Sequence, residues 1–111
     1  MPGRSGAAQL VAAGEADIAL LARVRAGDAA AFRALIDRHL KSVVAIARRM
    51  LRDDAEADDV AQEAMLRLWR SAATLELGEG GARPWLRRVA SNLCIDRIRA
   101  GAREHVTDEV P

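Results

Sequence analysis

What this sequence lacks narrows its function before any motif is read. Its 111 residues hold a single cysteine, Cys94, so no intrachain disulfide can form, and the two histidines, His39 and His105, lie too far apart to build a metal-ligand cluster with it. Tyrosine is absent and only Phe32, Trp69 and Trp85 are aromatic, too few for an extended stacking platform under a bare nucleic-acid strand. No window approaches the roughly 18 consecutive apolar residues of a membrane span. The opening MPGRSGAAQLVAAGEAD has neither the basic start nor the long apolar core of a signal peptide. A cytoplasmic, reducing setting is expected. Lysine occurs once, and Val, Ile and Thr together number only 15, which disfavours sheet.

Alanine and arginine fill the space. The chain has 24 alanines and 16 arginines. Alanine is the strongest helix former, so an all-α fold is expected. Arginine's rigid fork suits phosphate and carboxylate, though an alanine-rich chain with Arg over Lys can also reflect codon bias alone. The formal net charge of +1 conceals a strong separation. Residues 1–52 sum to +5, and residues 53–64 carry Asp53, Asp54, Glu56, Asp58, Asp59 and Glu63 with no basic residue, for −6. Residues 83–103 set six arginines against Asp96, for +5.

The pattern predicts a compact bundle of four helices with a flexible N-terminal tail over residues 1–16 and a C-terminal linker over 104–111. Asp17 is placed as the cap of a short first helix that Gly27 ends. Asp28 caps a second helix with the stripe Phe32, Leu35, Ile36, Leu40, Val43, Val44, Ala47, Met50 and Leu51. His39 lies beside that stripe, a position where histidine is more often partly buried than a ligand. The third helix runs from about Ala55 to Ala73, with Val60, Ala61, Ala64, Leu68 and Ala72 inward. Residues 74–82, with three glycines, form a flexible loop that lacks the Gly-Lys-Ser/Thr ending of a phosphate loop. Pro84 opens a fourth helix with Leu86, Val89, Ala90, Leu93 and Ile98 inward, and Gly101 can end it.

Two faces exceed what a bundle needs. On the third helix Asp59, Gln62, Glu63 and Leu66 share one side, with Trp69 a turn beyond Leu66. This is either a partner-binding patch or an ordinary acidic first turn with Trp69 in the core. On the fourth helix Arg88, Asn92, Ile95, Arg99 and Arg103 share an outer face flanked by Arg83 and Arg87. Arginines can hold phosphates while an asparagine reads a base edge; alternatively the face is solvated and its arginines pair with Asp96 or neighbouring acids. His39, His105, Cys94 and Ser91 show no triad or metal spacing, so an enzyme is not expected and neither metal nor other cofactor is called for.

The linked patterns Asp-Val-x-Gln-Glu-x-x-x-x-x-Trp at 59–69 and Trp-Leu-x-x-Val-Ala-x-Asn-x-x-x-Asp-x-x-Arg at 85–99 resemble region 2 of bacterial RNA polymerase sigma factors of the extracytoplasmic-function group. IALLARVRAGDAAAFRALIDRHLKSVVAIARRML resembles the opening of that domain, so the likeness spans about residues 17–103. It implies a transcription initiation factor whose third helix docks on the β′ clamp helices of RNA polymerase through Asp59, Gln62, Glu63, Leu66 and Trp69. It implies that the loop and fourth helix capture the non-template strand of the promoter −10 element, flipping one base as the duplex opens. Asn92 would read that base, and the loop Leu75, Glu76, Leu77, Gly78, Glu79, Gly80 and Gly81 would set which base fits. Arg83, Arg87, Arg88, Arg99 and Arg103 would hold the DNA backbone, roles that the helix face suggests. An anti-sigma factor is a further partner that such proteins admit. The family's −35-reading domain is missing from the sequence and the chain stops in what resembles the interdomain linker, so it is either an excised domain, the expected case, or an atypical short protein. The alternative function is a helical protein-interaction module without nucleic-acid binding.

Overall fold

The computed structural model describes residues 6–109, with side chains except at Ala7, Leu10 and 103–109. It is all-α, as expected, with α1 over Gly6–Arg25, α2 over Ala29–Leu51, α3 over Asp54–Ser71 and α4 over Arg83–Glu109. Among the described residues there is no strand, and no helix is long and apolar enough to cross a membrane.

The starts of α2 and α3 follow their capping residues. The Asp28 side chain accepts from the Ala30 and Ala31 N–H groups, and the Asp53 side chain from Glu56 N–H, each satisfying donors that a first turn leaves open. Arg23 also bridges to Asp28 at 2.7 Å. Its hydrogen bond, with those of the Ala31 and Ala30 N–H groups, holds the Asp28 carboxyl below the usual range. Gly27, at φ 93, ends α1 in the left-handed region.

The core is built on ridges spaced by four residues. Ala31, Leu35, His39, Val43 and Ala47 are buried along α2, Val60, Ala64, Leu68 and Ala72 run along and just beyond α3, and Ala82, Leu86, Ala90 and Cys94 lead into and along α4. Such i, i+4 ridges interlock in the commonest class of helix packing. Nearly half of the buried apolar residues are alanine, so neighbouring helix backbones approach closely. Leu21 and Val24 bring α1 into the same core, and α2 packs against all three other helices.

Four expectations need correction. α1 begins at Gly6, not at Asp17; the Ala-rich segment before Asp17 continues the helix without needing an apolar stripe, and only residues 1–5 of the expected tail lie outside the described residues. Asp17 is therefore not a cap but an interior residue, 1% exposed. α4 passes through Gly101 and ends at Glu109, because a helix-interior glycine costs only about 1 kcal/mol. Leu40 and Ile98, assigned to inner stripes, are exposed: Leu40 lies one position off the α2 ridge through His39, and Ile98 continues the α4 ridge one turn past Cys94, the last buried residue described on that helix.

Arg52 closes α2 at φ 55, the one non-glycine residue with positive φ among the described residues. Its N–H donates to the Arg48 carbonyl at 2.9 Å. The left-handed conformation costs an L-residue about 1 kcal/mol, so Arg52→Gly is expected to stabilise the fold by roughly 0.5–1 kcal/mol in urea denaturation.

Candidate nucleic-acid and protein interfaces

The acidic face of α3 is open to solvent where the sequence placed it. Asp59 and Gln62 are exposed, Glu63 is half-buried, and the apolar Leu66 and Trp69 are 47% and 45% exposed. Trp69 meets both alternatives halfway. Its ring stacks edge-to-face on Phe32, with centroids 4.9 Å apart and planes at 63°, yet nearly half its surface remains free. Glu63 lies 3.4 Å from Arg67 and 3.6 Å from Arg70, whereas Asp59 has no ion pair among the described residues. Beside this face, Phe32, Ile36, Leu40, Gln62, Met65 and Leu66 line a shallow, almost wholly apolar groove between α2 and α3. Its α2 side was read in the sequence only as core.

The α4 face is cationic and largely unpaired. Arg87, Arg88, Asn92 and Arg99 are exposed, and none of these arginines meets a carboxylate, Asp96 included, among the described residues. Among the described residues Arg97 is the one side chain of this helix in an ion pair, with Glu56 at 3.8 Å. Arg83 stands at the start of α4 with its guanidinium 3.5 Å from the Ser42 hydroxyl. The Arg103 and His105 side chains lie outside the described residues.

Between the 74–82 segment and the first turns of α4 is a recess lined by Leu77, Gly78, Gly80, Gly81, Pro84, Trp85 and Arg88, with Glu76 at its rim. Asn92 stands one turn beyond Arg88, on the same face and outside the lining. Leu75 and Leu77 pack on the core rather than standing free. Trp85 and Pro84 line the recess although the sequence had marked them only as motif and helix-start residues.

The segment has no regular structure, as expected, but its ends are held by α1. Arg25 donates from Nε to the Ala72 carbonyl at 2.7 Å and from its terminal nitrogen to the Leu75 carbonyl. At the other end, Asp17 Oδ2 accepts from Ala82 N–H at 2.9 Å and from His39 Nε2 at 2.8 Å, while Oδ1 accepts from Arg38 Nε at 2.9 Å. Every buried side-chain nitrogen and oxygen among the described residues has a partner. Burial alone would raise the Asp17 carboxyl, but the bonds from His39, Ala82 N–H and Arg38 outweigh it and hold the group below the usual carboxylate range.

Cys94 is buried in the core, where desolvation pushes its thiol up against the opposing pull of Arg97, so the reactive thiolate is disfavoured. Among the described residues no group of three or more His, Cys, Asp or Glu could hold a metal ion.

The sigma-70 region 2 family matches residues 35–104. The chain is 36% identical over 81 residues to the ECF RNA polymerase sigma factor SigK of Mycobacterium tuberculosis, covering 73% of this chain and 43% of that protein. It is 38% identical over 91 residues to the ECF RNA polymerase sigma factor SigM of the same species, covering 82% of this chain and 45% of that protein. A SigK of Mycolicibacterium vanbaalenii is 35% identical over 82 residues, 74% of this chain and 42% of its own. The chain thus matches less than half the length of these curated relatives. No solved structure matches it.

Because the folded Asp17 carboxyl sits below its unfolded value, its contribution is complete above about pH 4, the unfolded carboxylate pKa, and is lost as pH falls through the folded pKa. Asp17→Asn is therefore expected to cost about 2 kcal/mol at pH 7, with the deficit narrowing below about pH 4 in thermal melts followed by circular dichroism.

Proposed function

Because the chain belongs to the sigma-70 region 2 family, as the region 2 domain of an extracytoplasmic-function sigma factor, we propose that it recognises the promoter −10 element while bound to RNA polymerase. In this reading α3 docks on the clamp helices of the β′ subunit. The loop and α4 take the non-template strand, and one base leaves the stack to enter the recess beside Trp85 and Arg88. The observation that carries the reading is the set of exposed arginines on α4, free of carboxylate partners, beside a recess walled by glycine and an aromatic ring.

The physical division of labour follows from charge. Extruding a base costs a few kcal/mol, which pocket contacts and phosphate neutralisation offset. Arg83, Arg87, Arg88, Arg99 and Arg103 supply the phosphate contacts, which carry affinity without sequence information. Asn92 supplies a donor and an acceptor for a base edge, and Leu75, Glu76, Leu77, Gly78, Glu79, Gly80 and Gly81 shape what fits. On α3, Asp59, Gln62 and Glu63 ring the exposed Leu66 and Trp69 as a polar rim around apolar anchors, the arrangement of an interface hot spot. An acidic rim selects a basic partner helix. The same surfaces are available to an anti-sigma factor, and the setting is the cytoplasm. No covalent chemistry and no cofactor enter this reading.

The two faces can be separated by mutation. With −10 non-template oligonucleotides, Arg88→Ala is expected to weaken all sequences alike and to reduce the log–log salt slope by about 1. Asn92→Ala is expected to cost roughly 1–3 kcal/mol for the preferred sequence and less for the others. Affinity that ignores both changes and ignores salt supports a protein-interaction module instead.

Asp59→Lys together with Glu63→Lys is expected to abolish capture by the β′ clamp helices in a pull-down. The melting temperature should change little, because exposed charges contribute about 0–1 kcal/mol. Undiminished capture removes α3 as the docking face.

A further inference from the structure

α1 touches the loop at both of its ends and lines none of the recess. Arg25 holds the carbonyls of Ala72 and Leu75 at the start, where α3 leaves its last carbonyls open and a cation is favoured by the helix dipole. Eight residues earlier, about 12 Å along the helix axis, Asp17 holds the Ala82 N–H that leads into α4. One turn earlier again, Gly14 is buried inside α1. A Cβ there would overlap the Glu79 carbonyl oxygen, come within 2.8 Å of the Glu79 carbonyl carbon and lie 3.1 Å from the Gly81 nitrogen. Glycine inside a helix is unfavourable by about 1 kcal/mol. At Gly14 that cost coincides with backbone-to-backbone contact against the loop, and Gly81, at φ 68, reciprocates: a Cβ on it would lie 2.9 Å from the Gly14 Cα.

We infer that α1 is the positioning element for base selection, with Gly14, Asp17 and Arg25 fixing the shape of the 75–81 loop from behind without touching DNA. The inference rests on the proposed reading that this loop helps select a −10 base. A scaffold with only a stabilising role would lower affinity for every sequence together. A positioning role changes the ratio between sequences, since the recess is walled largely by loop backbone whose course α1 determines.

The test uses the full chain and fluorescence anisotropy with four −10 non-template oligonucleotides that differ at one position. Gly14→Ala and Arg25→Gln are each expected to reduce the ratio of best to worst affinity at least about threefold, the size of effect expected for residues coupled to a site they do not touch. Capture by core RNA polymerase should stay at the wild-type level. Gly6→Ala, on the same helix with nothing within 4 Å of the added Cβ, should keep the wild-type ratio. Arg25 is exposed, so Arg25→Gln carries the test even where Gly14→Ala does not fold. A ratio unchanged in folded Arg25→Gln and in folded Gly14→Ala overturns the inference, including the case where all four affinities drop equally. A wild-type chain that binds the oligonucleotides without preference removes the reading beneath it as well, and so separates the two failures.

Discussion

A carboxylate deep in a helical core must be fully paired, because an unpartnered buried charge costs several kcal/mol. Asp17 meets that demand with three donors from separate parts of the chain: Arg38 and His39 on α2, and the Ala82 backbone at the entry to α4. The carboxylate has only acceptors and the three groups facing it are all donors, so the match is complete in one arrangement of α1, α2 and the loop. Apolar contacts alone fix this region loosely, since α1 contributes little beyond Leu21 and Val24 to the core. Leucine and valine tolerate sliding, whereas three hydrogen bonds on two oxygens do not. The pairing therefore supplies register more than energy, the best-attested use of a buried polar group.

Those parts of the molecule governed by local rules were legible in the sequence. Asp28 and Asp53 cap their helices as their neighbours imply, and the α3 stripe is buried at every position expected. The exposed Leu66 and the outward arginines of α4 follow from helical period, whereas period left Trp69 open between surface and core. What escaped was decided by distant partners. An aspartate ahead of an apolar run looks the same whether it caps a helix or sits inside one, and only Arg38, His39 and Ala82 distinguish the cases. Gly14 fell within the expected tail and Gly101 reads as a stop, yet one is packed against the loop backbone and the other is merely tolerated inside α4. His39 hid for a related reason, as a polar residue occupying the centre of the α2 ridge between Leu35 and Val43.

The charge separation in the sequence survives folding because few of the opposed groups meet. Arg48 with Asp54 and Arg97 with Glu56 bridge the acidic helix to its neighbours at 3.3 and 3.8 Å, through exposed or half-exposed side chains. Such pairs are worth little. Asp58 and Asp59 on one side, and Arg87, Arg88 and Arg99 on the other, form no ion pair among the described residues. With a Debye length of about 8 Å at physiological salt, each face presents its own sign to a molecule approaching it. A net charge of +1 then describes neither surface.

Close approach between backbones lets so small a domain combine a tightly packed scaffold with an open recess. Alanine ridges let α2, α3 and α4 pack with little intervening side chain, so the frame depends on few large residues. The loop inverts this arrangement. Its glycines remove side chains where it faces the recess, and Leu75 and Leu77 anchor it inward. Changing an exposed loop residue such as Glu76 or Glu79 leaves the buried ridges and the Asp17 bonds untouched. Changing Gly14 does the reverse, moving the loop backbone while preserving every residue that faces the recess. The loop is thus shaped from two sides, by its own residues at the recess and by α1 behind it.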